Sequence, residues 1–200
     1  MTPEMFQDAL CEEIRNLLKG RKYKKPPKEP EEPDFDEELY EDPDDDSEEN
    51  SEENPDEEPE GSSEPELVVP EPELVEMTVY PQNIPVPLSG DEDENPVPYI
   101  IVRLNTGMDG NAPGSEYIMK VVVIMGIWDD DRSAQGHREL LNIINLVYSR
   151  FMKNPCLAGQ YVYKGEFKWD IQEDGYYPYY FGAFEMNFAI PAIRREDPFA

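Results

Sequence analysis

Apolar residues recur at helical spacing near the start of the chain, at Phe6, Leu10, Ile14 and Leu17. Thr2, Pro3 and Glu4 supply an N-cap, a first-position proline and a first-turn acid, and Gly20 supplies a left-handed stop. The pattern predicts a first helix. Strand-like alternation begins at Val75 to Tyr80, returns at Tyr99 to Leu104 and runs long from Tyr117 to Trp128, with a turn-rich loop expected at Gly107 to Gly114. A second helical stripe carries His137, Leu140, Leu141, Ile144, Val147, Tyr148 and Phe151, with Ser133 as its expected cap and Asn154-Pro155 as its end. Tyr161 to Trp169 predicts a further strand, and a turn follows at Asp174-Gly175. In Tyr179 to Ile190, Gly182, Phe184, Met186, Phe188 and Ile190 form one face and Phe181, Ala183, Glu185, Asn187 and Ala189 the other. The order αβββαββ predicts an α+β fold: a mixed, mainly antiparallel sheet of about five strands with two helices packed on one face.

Between these halves the periodicity fails. Pro26 to Pro72 contains ten prolines, many Glu, Asp and Ser, and few apolar residues. Such a stretch buries too little to offset the entropy of ordering it, so 26–73 reads as a disordered acidic, Pro-rich insertion. The domain expectation is an N-terminal helix in 1–25, the insertion in 26–73 and the main α+β domain in 74–200, forming one folded unit.

Charge follows the same division. Of 46 acidic residues, 22 fall in 29–66, which has no Lys or Arg, so the formal charge of −29 leaves 24 acids against 17 bases, or −7, elsewhere. The acidity therefore belongs to a segment. Arg21, Lys22, Lys24, Lys25 and Lys28 form the one basic cluster, and intrachain neutralisation is its simpler use, so no specific nucleic-acid binding is expected. Mimicry of nucleic acid by the acidic run needs carboxylates fixed in space, which its Pro and Ser oppose. Cys11 and Cys156 are too few for a disulfide framework or a thiolate metal site, and both are expected reduced. Met1 to Leu18 has neither a basic start nor an apolar core and reads as no signal peptide; no apolar run is long enough to span a bilayer.

Catalytic constellations are weak. The one histidine, His137, follows Ser133 and Asp129 without a nucleophile elbow. Asp129, Asp130 and Asp131 with His137 lack the spaced oxygens of a calcium loop and suit the start of a helix dipole. Glu166-Phe167-Lys168 resembles the E-x-K half of a nuclease site, with Asp129 as a possible partner, but alternating charges on a wet strand face give the same pattern. No phosphate-binding glycine loop occurs. The aromatic run Tyr176 to Phe181 lacks neighbouring cations for base stacking and suits a protein interface better. No catalytic residue, cofactor or metal is expected.

Several stretches, read together, resemble a family. They are Pro98 to Leu104, Gly126 to Asp131, Gln135 to Ile144, Tyr177 to Gly182 and Ile190 to Pro198. With the αβββαββ order, they resemble the tail terminator proteins, also called tail completion or head-tail joining proteins, of siphophages and prophages of Gram-positive hosts. The resemblance covers the first helix and about 75–200, with the acidic segment as a variable insertion. It implies a non-catalytic virion protein of the tail or neck, assembled in the host cytoplasm. Its expected form is a ring, commonly a hexamer, that caps the tail tube, stops its polymerisation and meets the head connector. Its expected partners are therefore other copies of itself, the tail tube protein and a head-tail connector protein, with DNA passing through the ring and no membrane involved. Sheet edges or the strand Tyr117 to Trp128 are candidates for pairing between subunits, and Asp129 to Asp131 or the insertion for an acidic inner wall. Candidate interface residues are Trp128, Asp129, Asp130, Asp131, Tyr177, Tyr179, Arg194 and Arg195. The alternatives are another head-tail connector or tail completion protein, or an acidic inhibitor of a nucleic-acid enzyme.

Overall fold

The structure is a computed structural model that describes residues 2–27, 72–86, 96–110, 115–172 and 176–191. It has an α+β fold with two helices and a mostly antiparallel sheet. Helix α1, Pro3–Leu18, starts where Thr2 Oγ1 accepts from Met5 N at 3.5 Å, and Gly20 follows its end at φ +80°. Phe6, Leu10 and Ile14 are wholly buried, as the periodicity predicts. Two short strands then pair antiparallel, β1 (Tyr23–Lys24) with β2 (Leu74–Val75), and Lys25 N donates to Glu73 O at 2.8 Å. The two flanks of the expected insertion thus lie side by side, while the insertion itself lies outside the described residues except at its ends.

The main sheet runs β3 (Thr78–Pro81), β4 (Tyr99–Asp109), β5 (Tyr117–Trp128), β9 (Tyr179–Ile190), β7 (Tyr161–Tyr163), β6 (Cys156–Leu157), with β8 (Lys168–Ile171) also on β9. Only β3–β4 is parallel. Between β5 and β6 lies α2, His137–Lys153, which ends at Asn154. The β9 alternation is as predicted: Phe184, Met186 and Phe188 face the core opposite Val123, Val121 and Met119 of β5. Both helices pack on this one face, where Phe6 and Leu10 of α1 and Ile143 and Val147 of α2 share a single core with it. Burial of such side chains contributes roughly 1.5–3 kcal/mol each.

Four expectations need correction. The described residues hold nine strands in two sheets, seven of them in the main sheet, rather than about five. Val75 to Tyr80 divides into β2 and β3, which join different sheets. The loop expected from Gly107 begins later, because β4 continues to Asp109; the Tyr117 ring lies where a side chain on Gly107 would stand and covers that gap in the pleat. The expected strand Tyr161 to Trp169 is two strands, β7 and β8, separated where Gly165 (φ +83°) and Glu166 (φ +61°) turn the chain. The expected turn at Asp174-Gly175 lies outside the described residues.

Candidate functional site

β5 and β9 stay in register to the pair Trp128–Tyr179, which brings two sequence-distant candidate groups together at one end of the sheet. Asp129 N donates to Pro178 O at 2.9 Å, and Tyr177 Oη donates to Asp130 O at 2.8 Å. Trp128, Asp129, Asp130, Asp131, Tyr177 and Tyr179 therefore form one corner. Arg194 and Arg195 lie outside the described residues.

The corner is less acidic than its sequence. Lys24 Nζ lies 2.7 Å from Asp129 Oδ1 and 2.8 Å from Asp130 Oδ1, so one residue of the basic cluster neutralises part of the aspartate run. The hydrogen bonds that Lys24 donates to Asp129 and then Asp130 push its ammonium well above the ordinary lysine range. Asp131 accepts from Ser133 N at 2.8 Å, and that bond holds its carboxyl below the usual value. This turn also changes the role given to Ser133. Ala134 adopts φ +52°, and α2 starts at His137 behind Gly136, which has no side-chain cap. Gly136 is required because the Tyr180 ring occupies the space a Cβ would need. Trp128 is only 8% exposed and packs within the protein, so it is a structural residue of the corner rather than a surface anchor.

Beside this corner is a groove of about 580 Å³ between the start of α2, β8 and the start of β9. His137 and Leu141 form one wall; Trp169, Asp170, Tyr177 and Phe181 contribute to the rest. Trp169 is 56% exposed and Tyr177 51%. Sequence reasoning missed Trp169, although a lone tryptophan between Lys168 and Asp170 on a short polar strand is a readable signal. The nuclease-like arrangement does not form. Glu166 precedes β8 and accepts from Asn187 Nδ2 at 2.8 Å, while Lys168 pairs across β9 to the level of Val122. Asp129, just past the end of β5, is seven residues beyond Val122, about 23 Å away.

The long strand Tyr117–Trp128 is not a free edge, because β4 and β9 flank it. Among the described residues, no strand pairs with the outer side of the distal half of β4. β3 pairs only with Tyr99–Val102, and Gln82 closes that pairing: its Oε1 accepts from Leu104 N at 3.0 Å. Beyond it, Asn105 to Asp109 is exposed, with Met108 66% accessible. On the sheet face away from the helices, the Tyr99 and Phe181 rings close over Gly126, and Lys120 pairs with Glu185 at 2.8 Å. Next to them, Thr106, Met108 and Ile118 border a hollow of about 260 Å³.

Among the described residues, no group of three or more His, Cys, Asp or Glu is arranged to hold a metal ion, and no helix is long and apolar enough to cross a membrane. No protein-family model matches the chain, and no curated protein matches it significantly.

Proposed function

We propose that this chain is a non-catalytic assembly protein of a tailed phage or prophage particle, a tail terminator whose copies form a ring on the end of the tail tube. Two things support the reading. The first is the resemblance carried by Pro98 to Leu104, Gly126 to Asp131, Gln135 to Ile144 and the segment from Tyr177 onward. The second, which carries it physically, is the distal half of β4, which pairs with β5 on one side and, among the described residues, with no strand on the other, an edge that natural monomers usually cover or blunt. Of its exposed residues only Asp109 is charged. Pairing of such an edge with a different surface on the next copy is a heterologous contact, the kind that closes into rings.

In this role the ring stops tube growth by covering the last tube subunit and offers its other side to the head connector. Its work is done by contact, which suits a surface of aromatic groove and open edge. The expected images of the purified chain by electron microscopy are closed rings with a central lumen. Thr106→Lys with Met108→Lys, which adds charge along the β4 edge without touching the core, is expected to abolish the rings while leaving circular dichroism unchanged. Rings that persist in this variant contradict the edge as the subunit contact. A wild-type chain that forms no closed particle contradicts the ring.

A further inference from the structure

We infer that the distal half of β4 pairs, as an added strand, with the outer side of β8 in a second copy of this chain. The inference rests on the ring proposed above and names the surface that receives the β4 edge. Backbone direction locates both halves of the contact, because hydrogen bonds in an antiparallel pair alternate sides from residue to residue. Gln172 N donates to Phe181 O at 3.1 Å in the β8–β9 register, so Asp170 and Lys168 also bond to β9. The N–H and C=O of Trp169 and Ile171 therefore point away from it. On β4, Leu104 N points outward to Gln82 Oε1, and the register shift between Leu104 and Thr106 reverses the alternation. Thr106 and Met108 turn inward to Lys120 and Ile118, which leaves Gly107 and Asp109 facing outward. Among the described residues no strand pairs with either outer side, and Asn105 to Asp109 and Lys168 to Asp170 are exposed.

The chain blunts other borders of the sheet. Arg15 Nη2 donates to Val79 O on β3 at 2.8 Å, and Pro81 there has no N–H. On β6, Cys156 O accepts from Arg150 Nη2 at 3.3 Å, and Cys156 N donates to Asn154 Oδ1 at 3.1 Å. Among the described residues nothing of this kind covers distal β4 or the outer side of β8, along which the groove runs instead. One copy cannot join its own two edges, because β5 and β9 hold β4 and β8 three strand spacings apart, about 14 Å. A second copy can. The run β4, β5, β9, β8 reverses direction at every step, so the β4 of a following copy, laid beside β8 in the same sense, is antiparallel to it. With Gly107 opposite Ile171 and Asp109 opposite Trp169, the outward residues of both strands exchange both of their N–H···O bonds. Met108 then stands opposite Asp170 on the face away from the helices, and Trp169, level with the core-facing Phe184, enters the seam on the helix face. The two edges differ, so each copy gives one and receives on the other, which is the head-to-tail arrangement a ring requires.

Opposed residues that exchange no hydrogen bonds have Cα atoms about 4.5 Å apart, within reach of a disulfide. The test uses the full chain bearing Met108→Cys and Asp170→Cys, with Cys156→Ser to remove the half-buried native thiol. It is oxidised with diamide at moderate salt and run on a denaturing gel without reductant, after circular dichroism has established that it is folded. The expected result is a ladder of covalent multimers that ends at the ring size. An equal mixture of two chains, each carrying one of the two new cysteines, should stop at dimers. Lys168→Cys in place of Asp170→Cys moves the thiol two residues along β8 and should slow crosslinking about tenfold or more. A discrete oligomer by light scattering without the 108–170 crosslink, or equal crosslinking through position 168, overturns this contact and leaves the ring. A disulfide closed within one copy, seen as a faster-migrating monomer, overturns the contact too. A monomer under every condition overturns both contact and ring.

Discussion

Gly126 shows how one residue can serve two neighbours. A Cβ there would stand 2.8 Å from Tyr99 Cε1 and 3.0 Å from Phe181 Cε1, so the two rings close over the only residue that leaves room for them. Gly126→Val is expected to cost about 1–3 kcal/mol, read as a lower denaturation midpoint at unchanged slope. The cysteines make a second prediction. Burial raises the Cys11 thiol from an ordinary 9.0 to about 11, while Cys156 is half-buried. At pH 8 a thiol reagent should modify Cys156 readily and Cys11 only after denaturation. Because the folded pKa of Cys11 lies above the unfolded one, its contribution to stability is intact below pH 9.0 and lost as pH rises toward about 11. The Cys11→Ala variant should lose less stability over that alkaline window than the parent. Residue-scale features of this kind were partly legible in the sequence. Cys11 lies on the apolar stripe of α1 and reads as buried. The need for Gly126 depends on two strands that only pairing brings to either side of it.

The elements that the sequence pattern located best are those whose instructions are local. Thr2, Pro3 and Gly20 mark the ends of α1, and the strict alternation of β9 separates its two faces without reference to any other strand. Failures occur where a distant residue decides. Gly107 reads as a turn residue but sits within β4 because the Tyr117 ring covers it from the neighbouring strand. Ser133 reads as a helix cap, yet Asp131 captures its backbone N–H and Tyr180 demands a glycine at 136, which moves the start of α2. Tyr161 to Trp169 reads as one strand, which hides Trp169 at its end, whereas Gly165 and Glu166 turn the chain and free β8 to form a groove wall. Two predictions belong to this scale. Leu10, wholly buried on α1, should cost about 2–5 kcal/mol when changed to Ala, since the residue ties α1 to the sheet. The pairing of β1 with β2 closes the chain between Lys24 and Leu74. If the insertion is the unstructured chain its composition indicates, deleting residues 29–66 shortens that closure and should raise stability by about 1 kcal/mol, with the fold unchanged by circular dichroism. A loss of folding on deletion would show that the insertion is part of the core.

For the whole molecule, the acidic excess is concentrated in one stretch of sequence, and the described residues leave the outer side of distal β4 without a paired strand and form an aromatic groove. Lys24 already offsets Asp129 and Asp130, so any acidic wall of a ring draws on the insertion more than on that corner. The insertion, strongly charged in every copy, opposes association at low salt, and added salt screens it. This dependence separates the assembly reading from the inhibitor alternative: an inhibitor acts through its acidic segment as a monomer or dimer, whereas an assembly protein associates through its folded part. The measurement that tests the account most directly is molar mass by light scattering, checked by analytical centrifugation, at low and moderate salt, on the full chain and on the form lacking 29–66. The account predicts a discrete ring, commonly a hexamer at six times the 23.1 kDa chain mass for the full protein, favoured by salt and by the deletion. A strictly monomeric mass for both forms under every condition would contradict it.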